Sequence, residues 1–190
     1  MIKAIRRKFR IPRKTDNYPI SAKRGGRVAL AELIGECGLN KCAEIGVKKG
    51  DYSRLLCEKN PNIELYCIDS WFEPRYQIKM EEYRSKAIKN LATFNVKIIR
   101  KTSMEALTDF EDKSLDFVHI DANHHFDFVC PDIIFWSLKV RSGGIVACHD
   151  YFHHHFGGVI RAVDAYVLSH NIQPYFVTLE LWPTVFWVNP

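Results

Sequence analysis

The sequence lacks a long apolar run, a C-x-x-C pair and the G-x-G-x-x-G fingerprint of dinucleotide-binding proteins. No apolar stretch approaches the roughly 20 residues that a membrane-spanning helix needs, so we expect no transmembrane segment. The basic N-terminal residues are not followed by an apolar core, and we therefore expect no secretory signal peptide. The absence of C-x-x-C argues against a zinc ribbon and a thioredoxin-type site. A reduced, cytoplasmic protein is the simpler interpretation of the six cysteines.

The composition is that of one globular domain with a charged terminus. The 190 residues are 47% apolar and 26% charged, close to the globular average. Residues 1–24 contain nine Lys or Arg against one acid, whereas the rest of the chain is net acidic. We interpret residues 1–24 as a basic arm and residues 25–190 as a single domain. The arm is either a solvated terminus or a contact for an anionic partner, such as a nucleic acid or a membrane surface.

After the arm, short apolar runs alternate with segments of helical period. This alternation predicts parallel strands with right-handed helical crossovers, and the near-continuous apolar runs indicate helices on both faces of the sheet. We predict an α/β fold with a Rossmann-like doubly wound sheet of seven mostly parallel strands. The last strand is expected to be antiparallel because a tight link precedes it. The predicted strands are residues 41–47, 63–69, 96–101, 115–121, 143–150, 174–180 and 184–190.

Ligands of such sheets bind at the carboxyl ends of the strands, so the residues that follow each strand are the candidates. Glu44 lies near the end of the first strand, and Gly46 and Gly50 bracket the following turn, which lets a ligand approach the main chain. A purely structural strand–turn–helix remains an alternative. The second strand ends at Asp69, which could accept two hydrogen bonds from ribose hydroxyls or could cap a turn. Ser103 after the third strand either caps a helix or borders a bound base.

The fourth and fifth strands carry the most reactive side chains. Asp121 ends the fourth strand, His124 follows it, and His149 and Asp150 end the fifth. These strands are neighbours in the predicted sheet, so the two acids and the imidazoles should converge on one cleft. Such groups suit a divalent ion such as Mg²⁺ and also suit general-base work. The alternative is that the acids cap loops and the histidines form a polar rim. The run His153–His155 is either metal-binding or a solvated loop.

Four segments together resemble a known family. They are E-I-G-x-x-x-G at the first strand, Asp69 at the second, D-F-V-H-I-D-A-x-H at the fourth and G-G-I-x-x-x-H-D-Y at the fifth. These segments resemble class I S-adenosylmethionine-dependent methyltransferases, and the subgroup of macrocin and rhamnosyl O-methyltransferases in particular. The resemblance covers about residues 28–190.

The resemblance implies a cofactor, a metal and a reaction. S-adenosylmethionine would be bound by Glu44, Gly46, Gly50, Asp69, Ser70, Ser103, Met104 and Asp121. A divalent ion such as Mg²⁺ would be held by Asp121, Asp150 and His149. The catalytic residues would be Asp121, His124 and His149.

The resemblance also implies the partners of the protein. The reaction would be O-methylation of a small hydroxylated acceptor, such as a sugar, and the assembly we consider is a homodimer. The alternatives are a nucleic-acid or membrane-surface binding protein that uses the basic arm, or another metal-dependent enzyme on a Rossmann-like scaffold.

Overall fold

The computed structural model describes residues 1–12, 18–152 and 157–190, and its described strands form one eight-stranded sheet. The order of the strands across the sheet is β1-β7-β8-β6-β5-β2-β3-β4. Their bounds are β1 Ile20–Ser21, β2 Lys41–Ile45, β3 Glu64–Ile68, β4 Val96–Ile99, β5 Leu115–Ile120, β6 Val140–Cys148, β7 Tyr175–Val177 and β8 Val185–Val188.

Helices cover both faces of this sheet, as predicted. Successive strand residues point to opposite faces, so Cys42 joins one apolar cluster and Ala43 the other. Helices α1 to α4 pack in the first cluster and α5 to α7 in the second. Their bounds are α1 Ile2–Lys8, α2 Arg27–Glu36, α3 Asp51–Lys59, α4 Gln77–Leu91, α5 Ser103–Ala106, α6 Phe126–Lys139 and α7 Gly158–Ser169. No helix of the described residues is both long and apolar enough to cross a membrane.

The topology confirms the doubly wound sheet with an antiparallel last strand. Strands β2 to β6 pair in parallel, and β8 runs antiparallel to both β6 and β7. The predicted count of seven strands is wrong, because β1 pairs in parallel with β7 at the edge of the sheet. A strand of two residues is too short to show an alternating pattern in the sequence. The chain passes from β2 to β3 on one side and later to β5 on the other, which places the switch point beside β2.

The described part of the basic arm packs on the domain. Ile5 and Phe9 are fully buried, and the Phe9 ring lies 5.3 Å from that of Phe186 between centroids. Lys8 forms ion pairs with Glu32 at 2.8 Å and Glu36 at 2.7 Å. The interpretation of this segment as a solvated terminus is therefore wrong for residues 1–12, because apolar side chains at helical spacing give α1 a buried face. The division of the chain at residue 24 stays a prediction.

Replacing Phe9 with alanine should destabilise the protein by about 3 kcal/mol or more, since the change leaves a cavity in the core. Urea unfolding followed by circular dichroism measures this free energy. The matched control is Arg7→Ala on the exposed side of the same helix, which should change stability by less than about 0.5 kcal/mol. Equal stability of Phe9→Ala and wild type would show that α1 is dispensable to the core.

Candidate active site

Gly46 brings the carboxyl ends of β2 and β5 into contact. Its φ is 91°, a conformation that glycine adopts readily and L residues rarely. A β-carbon at this position would lie 2.2 Å from the carbonyl oxygen of Asp121, so a side chain does not fit. The Gly46 N–H also donates a hydrogen bond to the carbonyl oxygen of Ile68 at the end of β3. Three strand ends therefore meet at one residue.

Asp69 holds the turn that follows Gly46. Its Oδ2 accepts the N–H groups of Val47 at 3.0 Å and Lys48 at 2.9 Å, and its Oδ1 accepts that of Trp71 at 2.7 Å. Lys48 and Trp71 both have positive φ, and the Trp71 indole donates to the Lys48 carbonyl oxygen at 2.8 Å. A carboxylate has about four lone-pair sites. Three of the sites of Asp69 accept these N–H groups, so roughly one lone-pair site remains for a ligand. The predicted pair of hydrogen bonds from the ribose hydroxyls would require two.

A cavity of about 750 Å³ opens above these strand ends, a size typical of small-ligand sites. Its lining includes six of the predicted cofactor residues, namely Gly46, Asp69, Ser70, Ser103, Met104 and Asp121. Aromatic rings of Phe72, Tyr83 and Phe128 form part of its wall. The structure thus brings these six residues together around one space.

Ser103 in this cavity is fixed by two neighbours on α6. Its hydroxyl accepts the indole N–H of Trp136 at 2.7 Å and donates to the carboxyl of Asp132. Burial raises the pKa of Asp132 to about 6. The alternative that Ser103 caps α5 is wrong, because Thr102 is the N-cap and forms a capping box with Glu105.

Gly50 faces away from this cavity. It is the N-cap of α3 with φ of 77°, and a β-carbon there would lie 3.3 Å from the Cα of Ala87 and 3.2 Å from the Cδ1 of Leu91. Neither cavity at the strand ends is lined by Gly50. Its small size therefore serves the packing of α3 against α4, and the structure does not bring it to the predicted cofactor residues.

A second cavity of about 500 Å³ adjoins the first. Gly46 and Asp121 line both cavities, so the two spaces meet at the ends of β2 and β5. The second cavity also contains Glu44, His149 and Asp150, and His124 lines both cavities. The predicted convergence of Asp121, Asp150 and the imidazoles on one cleft is what the structure shows.

His124 bridges the two acids of this cleft. Its Nε2 lies 3.3 Å from Oδ1 of Asp121, and its Nδ1 lies 3.2 Å from Oδ2 of Asp150. The hydrogen bond with Asp121 raises the pKa of His124 above its usual value. Burial works against ionisation of Asp121, but the bond with His124 and the nearby imidazoles outweigh it and lower the pKa of that carboxyl. The two carboxylates therefore favour the protonated form of the imidazole between them.

The same three side chains lie close enough together to hold a metal ion. Among the described residues, Asp121, His124 and Asp150 each offer a ligand atom within 4.8 Å of the others. Two carboxylates and an imidazole suit Mg²⁺, Mn²⁺ or another divalent ion. The predicted ligand His149 is not in this set. His149 is 5% exposed, and its Nδ1 lies 2.7 Å from Oδ1 of Asp150. This contact helps to hold the Asp150 carboxylate in place.

Glu44 is neutral rather than anionic at pH 7. It is 2% exposed, accepts a hydrogen bond from the Ser53 hydroxyl, and burial raises its pKa to about 8. The protonated carboxyl can act as a neutral hydrogen-bonding group at the end of β2.

Two lining residues carry no signal in the sequence. Arg27 at the start of α2 lies 4.0 Å from Oδ2 of Asp121 and 3.8 Å from Oε2 of Glu180, measured from its guanidinium nitrogens. Trp182 in the β7–β8 loop lines the same cavity. Both come from segments far from the recognised motifs, so only the fold reveals them. The run His153–His155, which the sequence suggested as a metal-binding or solvated segment, lies outside the described residues.

The sequence model of a methyltransferase domain matches residues 43–151, more than half of the chain. The chain belongs to this methyltransferase family. The matched segment contains the whole lining of the first cavity and most of the second. A curated relative, the uncharacterized protein y4gI of Sinorhizobium fredii, is 39% identical over 54 residues. This methyltransferase chain spans only 6% of the length of that relative.

Solved structures share the fold of this methyltransferase at low identity. The O-methyltransferase TomG of Streptomyces achromogenes, in complex with SAM, is 17% identical with a TM-score of 0.64, covering 100% of this chain and 89% of TomG. The O-methyltransferase of Bacillus cereus, in complex with SAH, is 13% identical with a TM-score of 0.65, covering 98% and 89%. Spermidine synthase of Thermotoga maritima is 13% identical with a TM-score of 0.57, covering 80% and 54%.

The pH dependence of stability tests the state of Glu44. Because its pKa is raised, the folded protein binds a proton that the unfolded chain releases above about pH 4.5. Wild type should therefore lose free energy of unfolding from pH 5 to 8, by up to about 1.4 kcal/mol per pH unit from this group. Glu44→Gln should lack this part of the slope in urea titrations at each pH. Exposed Glu58→Gln is the control, and an identical slope in Glu44→Gln would contradict the assignment.

Proposed function

We propose that this methyltransferase moves the methyl group of S-adenosylmethionine to a hydroxyl oxygen of a small acceptor. One observation carries the proposal: two cavities meet at Gly46, Asp121 and His124, and the second cavity adds His149 and Asp150 to this cluster of acids and imidazoles. The first cavity then takes the nucleoside and the second takes the acceptor. The solved O-methyltransferases with SAM and SAH support the choice of cofactor.

The cofactor assignment follows from position around the first cavity. Asp69 and Ser70 follow β3 and would face the ribose, while Ser103 and Met104 follow β4 and would border the adenine. Asp121 stands where the two cavities meet and would lie near the sulfonium, whose positive charge its carboxylate favours. Glu44 borders the second cavity and would meet the methionine end as a neutral hydrogen-bonding group.

The acceptor hydroxyl would be deprotonated in the second cavity. His124, held between Asp121 and Asp150, is the proposed base in its neutral form, because the two carboxylates stabilise the imidazolium that forms when it takes the proton of the hydroxyl. His149 orients Asp150 and is the second candidate. The protein's main contribution is alignment of the hydroxyl oxygen with the methyl group, which accounts for much of the lowering of the barrier.

We also propose that a divalent ion binds to the acids and the imidazole of this cleft. Asp121, His124 and Asp150 would hold it, and the ion would lower the pKa of an acceptor hydroxyl. His124 would then serve as a ligand, and its role as a base would apply to the metal-free protein.

Location and partners complete the proposal. The six cysteines are free thiols, which supports the cytoplasm. Exposed apolar residues on α6, Ile134, Phe135 and Leu138, support a homodimer. Exposed basic residues on and after α1, such as Arg7 and Arg10, support an anionic partner for the arm. A sugar remains our first choice of acceptor, since it is a small molecule rich in hydroxyls.

The cofactor assignment is tested with Asp69→Asn. Loss of the carboxylate removes a charge-assisted hydrogen bond to the ribose and loosens the glycine turn, so affinity for S-adenosylhomocysteine should fall about 10- to 100-fold. Isothermal titration calorimetry measures this affinity. Asp112→Asn, whose side chain is 66% exposed and pairs with Lys139, is the matched control. Equal affinities of all three proteins would remove Asp69 from the cofactor site.

The metal assignment is tested by Mn²⁺ binding to the cofactor-free protein. Asp150→Asn removes a ligand, so Mn²⁺ affinity should fall by at least the roughly 10- to 100-fold that loss of a supporting partner costs a metal site. Electron paramagnetic resonance counts the free ion directly. Asp112→Asn should bind Mn²⁺ like wild type. If wild type does not bind Mn²⁺, or if Asp150→Asn binds it equally well, the metal assignment is wrong.

A further inference from the structure

The second cavity has one wall that comes from outside the family-matched segment. Arg27 stands at the start of α2, and the β7–β8 loop supplies Trp182. The two segments are joined, because the N–H of Leu179 donates to the carbonyl oxygen of Gly25 at 3.0 Å. Gly26 lies so close to Glu180 that a β-carbon there would be 2.6 Å from Oε2 of that acid. The wall is therefore a fixed part of the cleft.

The Arg27 guanidinium is held in place while its hydrogen-bond donors stay available. Its carbon lies 5.5 Å from the centroid of the buried Tyr52 ring, and the two acids stand at 4.0 and 3.8 Å. These separations exceed the roughly 2.7–2.9 Å of a charge-assisted hydrogen bond. Across residues 1–12, 18–152 and 157–190, no acceptor lies within hydrogen-bond reach of its N–H groups. A side chain that is one-third exposed thus presents a five-donor fork to the cavity.

Trp182 adds a flat apolar surface to the same wall. Its side chain is 42% exposed, and its ring packs edge-on against Phe152 at 6.2 Å between centroids. The other three tryptophans are at most 1% exposed. A ring-shaped acceptor would cover this surface, since aromatic faces pack well against other rings and against apolar sugar faces.

We propose that Arg27 is the acceptor-recognition residue of this enzyme and that it binds the oxygen adjacent to the reacting hydroxyl. Arg27 and Asp121 are 4.0 Å apart, so a hydroxyl placed at Asp121 and His124 sets its neighbouring oxygen against the guanidinium. Glu180 beside Arg27 would accept a hydrogen bond from that oxygen when it is a hydroxyl. The acceptor class is a ring with two vicinal oxygens, and this inference rests on the proposed methyl transfer. Tyr52 and Glu180 are positioning residues for Arg27.

The test uses the protein saturated with S-adenosylhomocysteine and two pairs of probes. Catechol with phenol represents aromatic rings, and cis-cyclohexane-1,2-diol with cyclohexanol represents saturated rings. One diol should bind wild type at least about 10-fold more tightly than its one-oxygen analogue, the discrimination expected of a hydrogen bond to a charged group. Arg27→Gln should abolish this preference, and Arg27→Lys should restore part of it because the charge remains but the planar fork is lost.

Two readouts and one control separate recognition from folding. Calorimetry gives the affinities, and acrylamide quenching reports Trp182, which the preferred diol should shield. Exposed Arg24→Gln should behave like wild type, and unchanged affinity of Arg27→Gln for S-adenosylhomocysteine shows that the variant is folded.

If S-adenosylhomocysteine binds but neither diol is preferred, or if Arg27→Gln keeps the preference, the assignment of Arg27 is overturned and methyl transfer stands. Failure of S-adenosylhomocysteine to bind wild type would overturn both.

Discussion

The close approach of Gly46 to the main chain of Asp121 is the contact on which both cavities depend. β2 and β5 are paired up to Ile45 and Ile120, and the chain then leaves the sheet through the positive φ of Gly46. Because this residue has no side chain, the end of β5 can lie against the turn, and Asp121 can border both spaces. Ligands bound in the two cavities would therefore be neighbours at Asp121, and the proposed transfer reaction requires such proximity.

Charge is the second constraint, because the same contact gathers acids at one edge of the sheet. A buried carboxylate is costly unless it is paired or protonated. Asp121 and Asp150 are paired through His124, and Arg27 adds a cation at longer range. Glu44 is instead stabilised in its protonated form, since burial raises its pKa to about 8. The cleft therefore contains acids whose pKa values are shifted in opposite directions, although each lies at or near the end of a strand of the sheet. Their burial and their interaction partners account for the difference.

The sequence predicts the parts of this arrangement that follow from strand order, and it misses the parts that depend on loops. Asp121 and Asp150 were expected together because they end neighbouring strands, and the pairing of β5 with β6 confirms it. Which histidine joins them depends on the turn after β5, which carries His124 back between the acids while His149 stays buried. Gly50 resembles a ligand-binding glycine in sequence, but its surroundings are helix α4. β1 is too short to show a pattern.

The two cavities differ in how much of their lining lies within the family-matched segment. Every residue that lines the first cavity falls within the segment matched by the family, whereas the second cavity draws Arg27 and Trp182 from outside it. The fold alone does not fix the reaction, since a spermidine synthase has a similar fold. Features common to the family therefore belong with the first cavity, where a common cofactor would bind. Arg27 and Trp182 form the wall of the second cavity outside that segment, and the proposed recognition of the acceptor rests on this wall.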